Sequence, residues 1–383
     1  MLKREMAALI HDPWQLALVS YIPLLGIVGL WLLFSAGLPR QLPVAVVDFD
    51  QSQVSRALAR QLQANPVTTP ISYTDLPSAV AAMQQAEVYA LVVFHHGLKH
   101  DLLTGKTPTI DIRYNSQFLL VGKLLSTQIQ VSMADGLKPL AAIKQLAAGV
   151  PKAKVAVNLA PVSSQTTALF NRNNNYVGFL VPPVLIALLQ QIAMMVFANS
   201  LNRELRWQTT AQWTALGVWK GIAAKVLFYT PFILMHAGFI FALLYLYLGL
   251  PMAGSIALLL AAQLMMLLAI WLMVLVIFFA LQDSARVISF CTAIFAPAFA
   301  FMGVTFPTAE MPAIAQWWRT VLPSSHYIET HIDVVSYGQG WLAALPQFLG
   351  YWGYLCLLLP ISFLVAKGFD SSVSAAPQLQ KGS

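Results

Sequence analysis

The sequence predicts a polytopic α-helical membrane protein of about six transmembrane helices with an inserted extracytoplasmic α/β domain. Three observations predict it. Hydrophobic residues make up 58% of the chain and charged residues only 10%, against roughly 25% charged in an average soluble domain. Several stretches carry about twenty or more predominantly apolar residues, the length a helix rising about 1.5 Å per residue needs to cross a bilayer core. Between the first and second of them, the composition turns into that of a soluble domain with short alternating strands and helices.

The same numbers exclude other classes. The formal net charge is +7, but the basic residues are dispersed and form no patch interleaved with aromatics, so nucleic acid is not indicated. Orientation in the bilayer and contact with its surface account for them. Cys291 and Cys356 are the only cysteines, and both fall inside predicted spans, so neither a disulfide framework nor a thiolate metal site is indicated.

In chain order, residues 1–38 are read as an N-terminal interfacial helix and the first span. Leu2 to His11 alternates apolar positions with Lys3, Arg4 and Glu5, as a helix lying along a membrane surface would. Asp12-Pro13 then breaks the chain before the apolar run from Trp14 to Leu38. That run is longer than the core of a signal peptide and ends at Gly37-Leu38-Pro39-Arg40 without a clean cleavage motif. It is therefore expected to be an uncleaved span with the N-terminus inside.

Residues 39–174 are read as the periplasmic α/β domain. Leu42 to Asp48 is a strand, and Asp50 to Ser52 offers N-cap side chains for a helix through Leu62 with Ser55, Arg56 and Arg60 on its wet face. A strand near Ile71, a helix over Leu76 to Gln85, a strand over Val88 to Phe94, a short helix through Leu103 and a strand over Thr109 to Tyr114 follow. A long helix from Ser116 to about Ala148 and extended chain from Val155 to Val162 complete it.

Residues 175–370 are read as five further spans. Tyr176 to Leu201 and Gly221 to Leu248 flank a polar elbow, Asn202 to Lys220, whose Arg203, Arg206 and Lys220 place it in the cytosol. Glu204 between two arginines, with Trp207, Trp213 and Trp219, suits a short helix along the membrane facing a cytosolic partner. Ser255 to Phe279 comes next, then a second cytosolic turn at Leu281 to Arg286. Val287 to Phe306 follows with Pro297 inside it, which a bundle tolerates when neighbours satisfy the freed carbonyl. Pro307 to Gly340, rich in Trp, Tyr and Pro, suits a re-entrant or interfacial outer hairpin. Trp341 to Ala366 is the last span, and residues 371–383 form a cytosolic tail, the polar stretch beginning at Lys367.

Within the spans, Gln190, Gln191, His236 and Gln263 have no obvious route to water and are expected to line a path or to bond between helices. Lys225 lies close enough to the elbow end to snorkel and is given no transport role. His95, His96 and His100 near Asp101, and His326, Glu329, His331 and Asp333, carry ligand types zinc accepts but no zinc-motif spacing, so no metal is expected.

The arrangement resembles the type-2 permease family of ABC exporters, in the subfamily with a large extracytoplasmic domain between the first two transmembrane helices. The residues that carry the resemblance are Leu42-Pro43-Val44-Ala45-Val46-Val47-Asp48 with Asp50 and Ser52, Ala90-Leu91-Val92-Val93, Phe170-Asn171 with Asn175-Tyr176 and Pro182, Arg203-Glu204, and Gly303 through Pro307 with Met311-Pro312, Pro323 and Tyr327. The chain departs from the family pattern at Arg172, where a proline is usual, at Pro182-Pro183, where Pro-Gly is usual, and at Leu205-Arg206-Trp207-Gln208-Thr209, where the elbow is usually Glu-Arg-Gly-Thr-like.

The resemblance implies a transport permease that is not itself an enzyme. It binds no cofactor and is driven by a separate ABC ATPase subunit that carries ATP and Mg. The chain's own lack of a G-x-x-x-x-G-K-[ST] phosphate loop agrees. The elbow then becomes the ATPase-coupling element, with Arg203, Glu204, Arg206, Gln208 and Thr209 as expected contacts. Gly303, Pro307, Met311, Pro312, Pro323 and Tyr327 shape the outer hairpin. Further implied partners are a second permease chain, as a homodimer or with a related paralogue, and a periplasmic membrane-fusion adaptor. Expected localisation is the bacterial inner membrane, with both termini cytoplasmic. Apolar walls favour hydrophobic or amphipathic cargo moved out of the cytoplasm or inner membrane. The alternative is a mechanotransmitting or sensor subunit that drives a periplasmic partner without passing substrate through the membrane.

Overall fold

The computed structural model describes residues 1–35, 40–104, 106–152, 154–155 and 176–374. They fall into two compact units, one comprising Met1–Gly37 with Ala168–Ser383 and the other Leu38–Thr167.

The smaller unit is built on a four-stranded sheet in the order β2-β1-β3-β4. Strand β1 (Leu42–Asp48) lies between β2 (Thr68–Tyr73) and β3 (Ala90–Phe94), parallel to both, and β4 (Ile110–Tyr114) runs antiparallel to β3. The run Leu42 to Asp48 is apolar without alternation because both faces are covered. Val44 and Val46 join Leu58, Leu62, Phe94, Leu125 and Ile129 in one cluster. Ala45 and Val47 join Ala79, Ala82, Leu91 and Val93 in another. The covering helices are Gln53–Ala64, Leu76–Gln84, Leu98–Thr104 and Leu119–Ala147. Of the extended run expected at Val155 to Val162, Val155 is helical and the rest lies outside the described residues, as do Phe170, Asn171, Arg172 and Asn175.

The Asp48-Asp50-Ser52 motif is accounted for by local hydrogen bonding. Ser52 Oγ accepts from the backbone N–H of Val54 and Ser55 at 3.1 and 3.2 Å, while Ser55 Oγ accepts from Ser52 N–H at 3.0 Å, a capping box. Asp48 closes the turn by accepting from Asp50 N–H, Gln51 N–H and the Ser55 hydroxyl at 3.1, 2.8 and 2.7 Å. Ser55 is therefore buried, not on the wet face expected from periodicity. Ser52→Ala should cost about 1 kcal/mol locally, visible as faster amide exchange at Val54 and Ser55 with the rest of the chain unchanged.

The larger unit is helical. Helix α1 (Leu2–His11) is followed by α2 (Pro13–Val19) and α3 (Tyr21–Phe34). The first span, expected as one helix, is bent by 42° between α2 and α3. At the bend the Ser20 hydroxyl donates back to Leu16 O at 2.5 Å, a back-bond that bends helices. With the smaller unit's helices numbered α4 to α7, the next is α8 (Tyr176–Arg206), then a five-residue α9 (Thr210–Thr214) and α10 (Val218–Phe241), which continues as a π-helical turn over Ala242–Tyr247. Helix α11 (Ile256–Leu281) is the central one, touching α8, α10, α12 (Ser284–Phe295) and α15 (Pro323–Tyr337). A short α13 (Ala298–Phe301) follows the break at Pro297, and α14 (Ala313–Val321) precedes α15. The last span comprises α16 (Leu345–Gly350), a 3-10 segment (Tyr351–Leu357) and α17 (Leu358–Ser374), so helix continues beyond Lys367, where a polar tail was expected. Residues 375–383 lie outside the described ones.

Among the described residues, five helices are long and apolar enough to cross a membrane, or six if the bent pair α2-α3 is one span. This is a multi-pass membrane protein. The hairpin positions shape the connection from α13 to α15. Gly303 has φ +83°, and a Cβ there would lie 2.4 Å from Thr308 Cγ2, so the backbone needs glycine. Pro307 precedes the 3-10 turn Thr308–Glu310, and Met311 O accepts from Gln316 Nε2 at 2.9 Å. Pro312 precedes α14, and Pro323 opens α15 in its favoured first-turn position. Tyr327 is buried against the bundle core.

Candidate functional site

The chain's most concentrated chemistry lies where α1, α8 and α10 meet. Helix α8 runs one turn further than the apolar span predicts, to Arg206, and two arginines in its last turn complement the negative end of its dipole. It stops at Gln208, whose φ of +54° leaves the helical region. Arg203 and Glu204 are thus helix residues rather than elbow residues, and both turn inward with 1% and 0% of their surface exposed.

Their partners come from far along the chain. Arg203 Nη2 donates to Glu5 Oε2 at 2.7 Å and Nη1 to the Tyr229 hydroxyl at 3.0 Å. Lys225 Nζ reaches both Glu5 oxygens at 3.1 Å, Glu204 Oε1 at 2.7 Å and the carbonyl of Ser200 at 2.9 Å. Glu204 also accepts from Arg4 and, at 2.6 Å, from the Thr209 hydroxyl. Glu5, Glu204, Arg203 and Lys225 are each at most 1% exposed and carry two charges of each sign. The quartet is neutral, and Arg4 adds a further cation at its rim. Ions buried in this way are tolerated only when paired and hydrogen-bonded.

Local geometry explains the assembly. Lys225 and Tyr229 are four residues apart and share one face of α10. Glu5 is four residues before Leu9, the other buried position of α1, so it stands on that helix's inward stripe. A second polar cluster fixes the α1-α2 joint to the same helix. Asp12 caps α2 by accepting from Gln15 N–H at 3.0 Å, Arg206 donates to Asn199 Oδ1 at 2.9 Å, and Asn199 donates to Gln15 Oε1 at 2.5 Å.

One sequence expectation is corrected here. Lys225 does not snorkel to a surface; it is fully buried and neutralised by two carboxylates. Arg203 and Glu204, expected as ATPase contacts, are buried with their side chains hydrogen-bonded inside the chain. Of the other positions named for coupling, Arg206 and Gln208 are exposed and Thr209 is half-buried. The outward face of the elbow adds Trp207, Leu216 and Trp219, 42%, 63% and 46% exposed. Trp213 is instead an anchor: a Cβ on Gly221 would meet its Nε1 at 2.7 Å and its carbonyl at 2.9 Å, so glycine lets α9 lie against α10.

The mid-span polar residues do not converge on this cluster. Gln190 Oε1 accepts from Ser324 N–H at 2.9 Å and so caps α15. His236 lies beside the carbonyls of Phe232 and Ser20 at 2.7 and 3.3 Å. Gln190 Nε2, Gln191 Oε1 and Gln263 Nε2 are buried without a partner. Among the described residues no three His, Cys, Asp or Glu side chains gather as a metal ion would need.

The spans define a multi-pass membrane protein. The model of the ABC-2 family transporter proteins matches residues 13–366, nearly the whole chain, and the protein belongs to that family. No curated protein matches the chain. The match begins after α1, so Glu5 lies outside the segment matched while its partners Arg203, Glu204 and Lys225 lie within it.

Proposed function

We propose that the chain is the membrane-spanning permease subunit of an ATP-driven ABC exporter, set in a bacterial inner membrane with its termini and elbow in the cytoplasm. A separate ABC ATPase docks on the outward face of residues 206–220 and supplies hydrolysis. The observation that carries this reading is the neutral quartet directly beneath that face. It ties α1, α8 and α10 into one unit, so a push on the elbow moves three helices together. Two discrete packings of such a unit are what a nucleotide-dependent partner can bias.

The substrate follows from the walls: few charges and many apolar residues suit hydrophobic or amphipathic compounds. A second permease chain completes the transport path, and a periplasmic adaptor is a further partner. The test is coexpression with the cognate ABC ATPase. Leu216→Glu and Trp219→Ala should each lower ATPase copurification by about 5- to 30-fold, as loss of an interface anchor worth about 1–2 kcal/mol requires, without altering the thermal stability of the chain. Unchanged copurification would remove this face as the docking site. ATP-dependent flux of an amphiphile across reconstituted vesicles separates an exporter from a mechanotransmitter, which would hydrolyse ATP without flux.

A further inference from the structure

At the end of the bundle away from the elbow lies a cleft of about 990 Å³, bounded by the first turns of α8, the α10-α11 loop, Gly303-Val304 and one face of α15. Its size is at the top of the range of about 300–1,000 Å³ typical of small-molecule sites. Three departures from regular helix open onto it. Pro182 and Pro183 have no N–H, so the carbonyls of Gly178 and Phe179, two residues of the cleft lining, lack their helical donors. The π-helical turn carries Tyr245 to the wall, a feature that recurs at functional sites. Gly303 contributes its positive φ.

The polar side chains of the lining are those of Tyr245, His331, Ser336 and Tyr337. Tyr245 and His331 are joined through the phenol oxygen and Nε2 at 2.8 Å. His331 is buried, which pushes its imidazole down to about 4 and keeps the ring neutral at physiological pH. Among the described residues, no Lys, Arg, Asp or Glu lines the cleft. The acids on α15 are engaged elsewhere, Glu329 with Arg319 at 2.5 Å and Asp333 with Gln347 at 3.3 Å. An ionised ligand would lose its hydration here and find no counter-charge. A hydroxyl or carbonyl would find the phenol-imidazole pair, and a hydroxyl also finds backbone acceptors at Gly178 and Phe179.

We infer that this cleft is a binding site for an uncharged amphiphile, an apolar body bearing one hydroxyl or carbonyl anchored at Tyr245 and His331. The assignment stands on the cleft alone and does not depend on coupling to an ATPase. The probe is a long-chain alkanol carrying a mid-chain diazirine, photolysed with the full chain in lipid nanodiscs and mapped by mass spectrometry. Labelling of residues 178–183, 248–253 and 328–337 should saturate. Unlabelled alkanol should compete about tenfold better than the matched alkane or the matched carboxylate, as one hydrogen bond of about 1.4 kcal/mol gives.

Tyr245→Phe, which keeps the ring, should raise half-saturation by a similar factor, and Val304→Trp, which fills the space, should abolish saturable labelling. Labelling that never saturates, competition by the carboxylate equal to that by the alkanol, or saturable labelling that survives Val304→Trp would overturn the assignment.

Discussion

Lys225→Met should destabilise the chain by about 3–5 kcal/mol, the cost of stripping one partner from a buried ion pair. The ammonium contacts both carboxylates of the quartet and a backbone carbonyl. Methionine fills most of the volume but leaves Glu5 and Glu204 facing each other with one buried cation, Arg203, and Arg4 at the rim. The penalty is electrostatic, so it should be partly relieved when a charge of opposite sign is removed with it. Lys225→Met with Glu204→Gln should therefore be less destabilised than Lys225→Met alone. A thermal unfolding series on the two single variants and the double variant, read as a double-mutant cycle, measures the coupling. Strict additivity would show that the four groups do not act as a unit.

Glu5→Ala should release α1. A ten-residue helix is marginal by itself in water, and α1 is tied to α8 and α10 by the Glu5 carboxylate, which receives Arg203, Lys225 and Tyr229, together with Arg4 and the buried Leu9. Removing the carboxylate forfeits about 3–5 kcal/mol and leaves Arg203 and Lys225 to share a single buried carboxylate, Glu204. The expected signature is local: amide exchange of the hydrogen-bonded residues of α1 accelerates by about two to four orders of magnitude, following about 1.4 kcal/mol per factor of ten. Helices α11 and α15, which contribute no member of the quartet, should change far less. Protection of α1 equal to the parent would mean that Leu9 and the membrane surface hold it, and that Glu5 is incidental. If α1 is released as expected, the proposed exporter should also hydrolyse ATP with weakened dependence on its substrate.

Much of the fold is legible in the sequence because local signals decide it. The strand Leu42 to Asp48 has the expected limits, since an unbroken apolar run bounded by Arg40-Gln41 and Asp50-Gln51 admits little else. The apolar spans are legible for the same reason, since twenty such residues admit few alternatives to a spanning helix. The bend at Ser20 is not legible from hydropathy, because a back-bonded serine barely lowers it. Ser55 was misread because helical periodicity reports a face, not the carboxylate of Asp48 waiting there.

The site is the least legible part. Arg203 and Glu204 stand out as charges at a span's end, yet whether they face a partner or the interior depends on residues some two hundred positions earlier and twenty later. Two signals point inward in retrospect. Lys225 has a tyrosine one turn on, and Glu5 occupies the stripe of α1 shared by Leu2 and Leu9. A lone carboxylate on an apolar stripe implies a cation on the opposing surface.

The claim that an ATPase is gripped by the outward face of the elbow, with the quartet sealed beneath it, is tested most directly by site-specific cross-linking. Single cysteines placed along residues 203–220 in an otherwise cysteine-free chain are cross-linked to the copurified ATPase. Adducts are predicted at positions 207, 208, 216 and 219 and none at 203 or 204. Adducts at 203 and 204, or none anywhere along the elbow, would contradict the account.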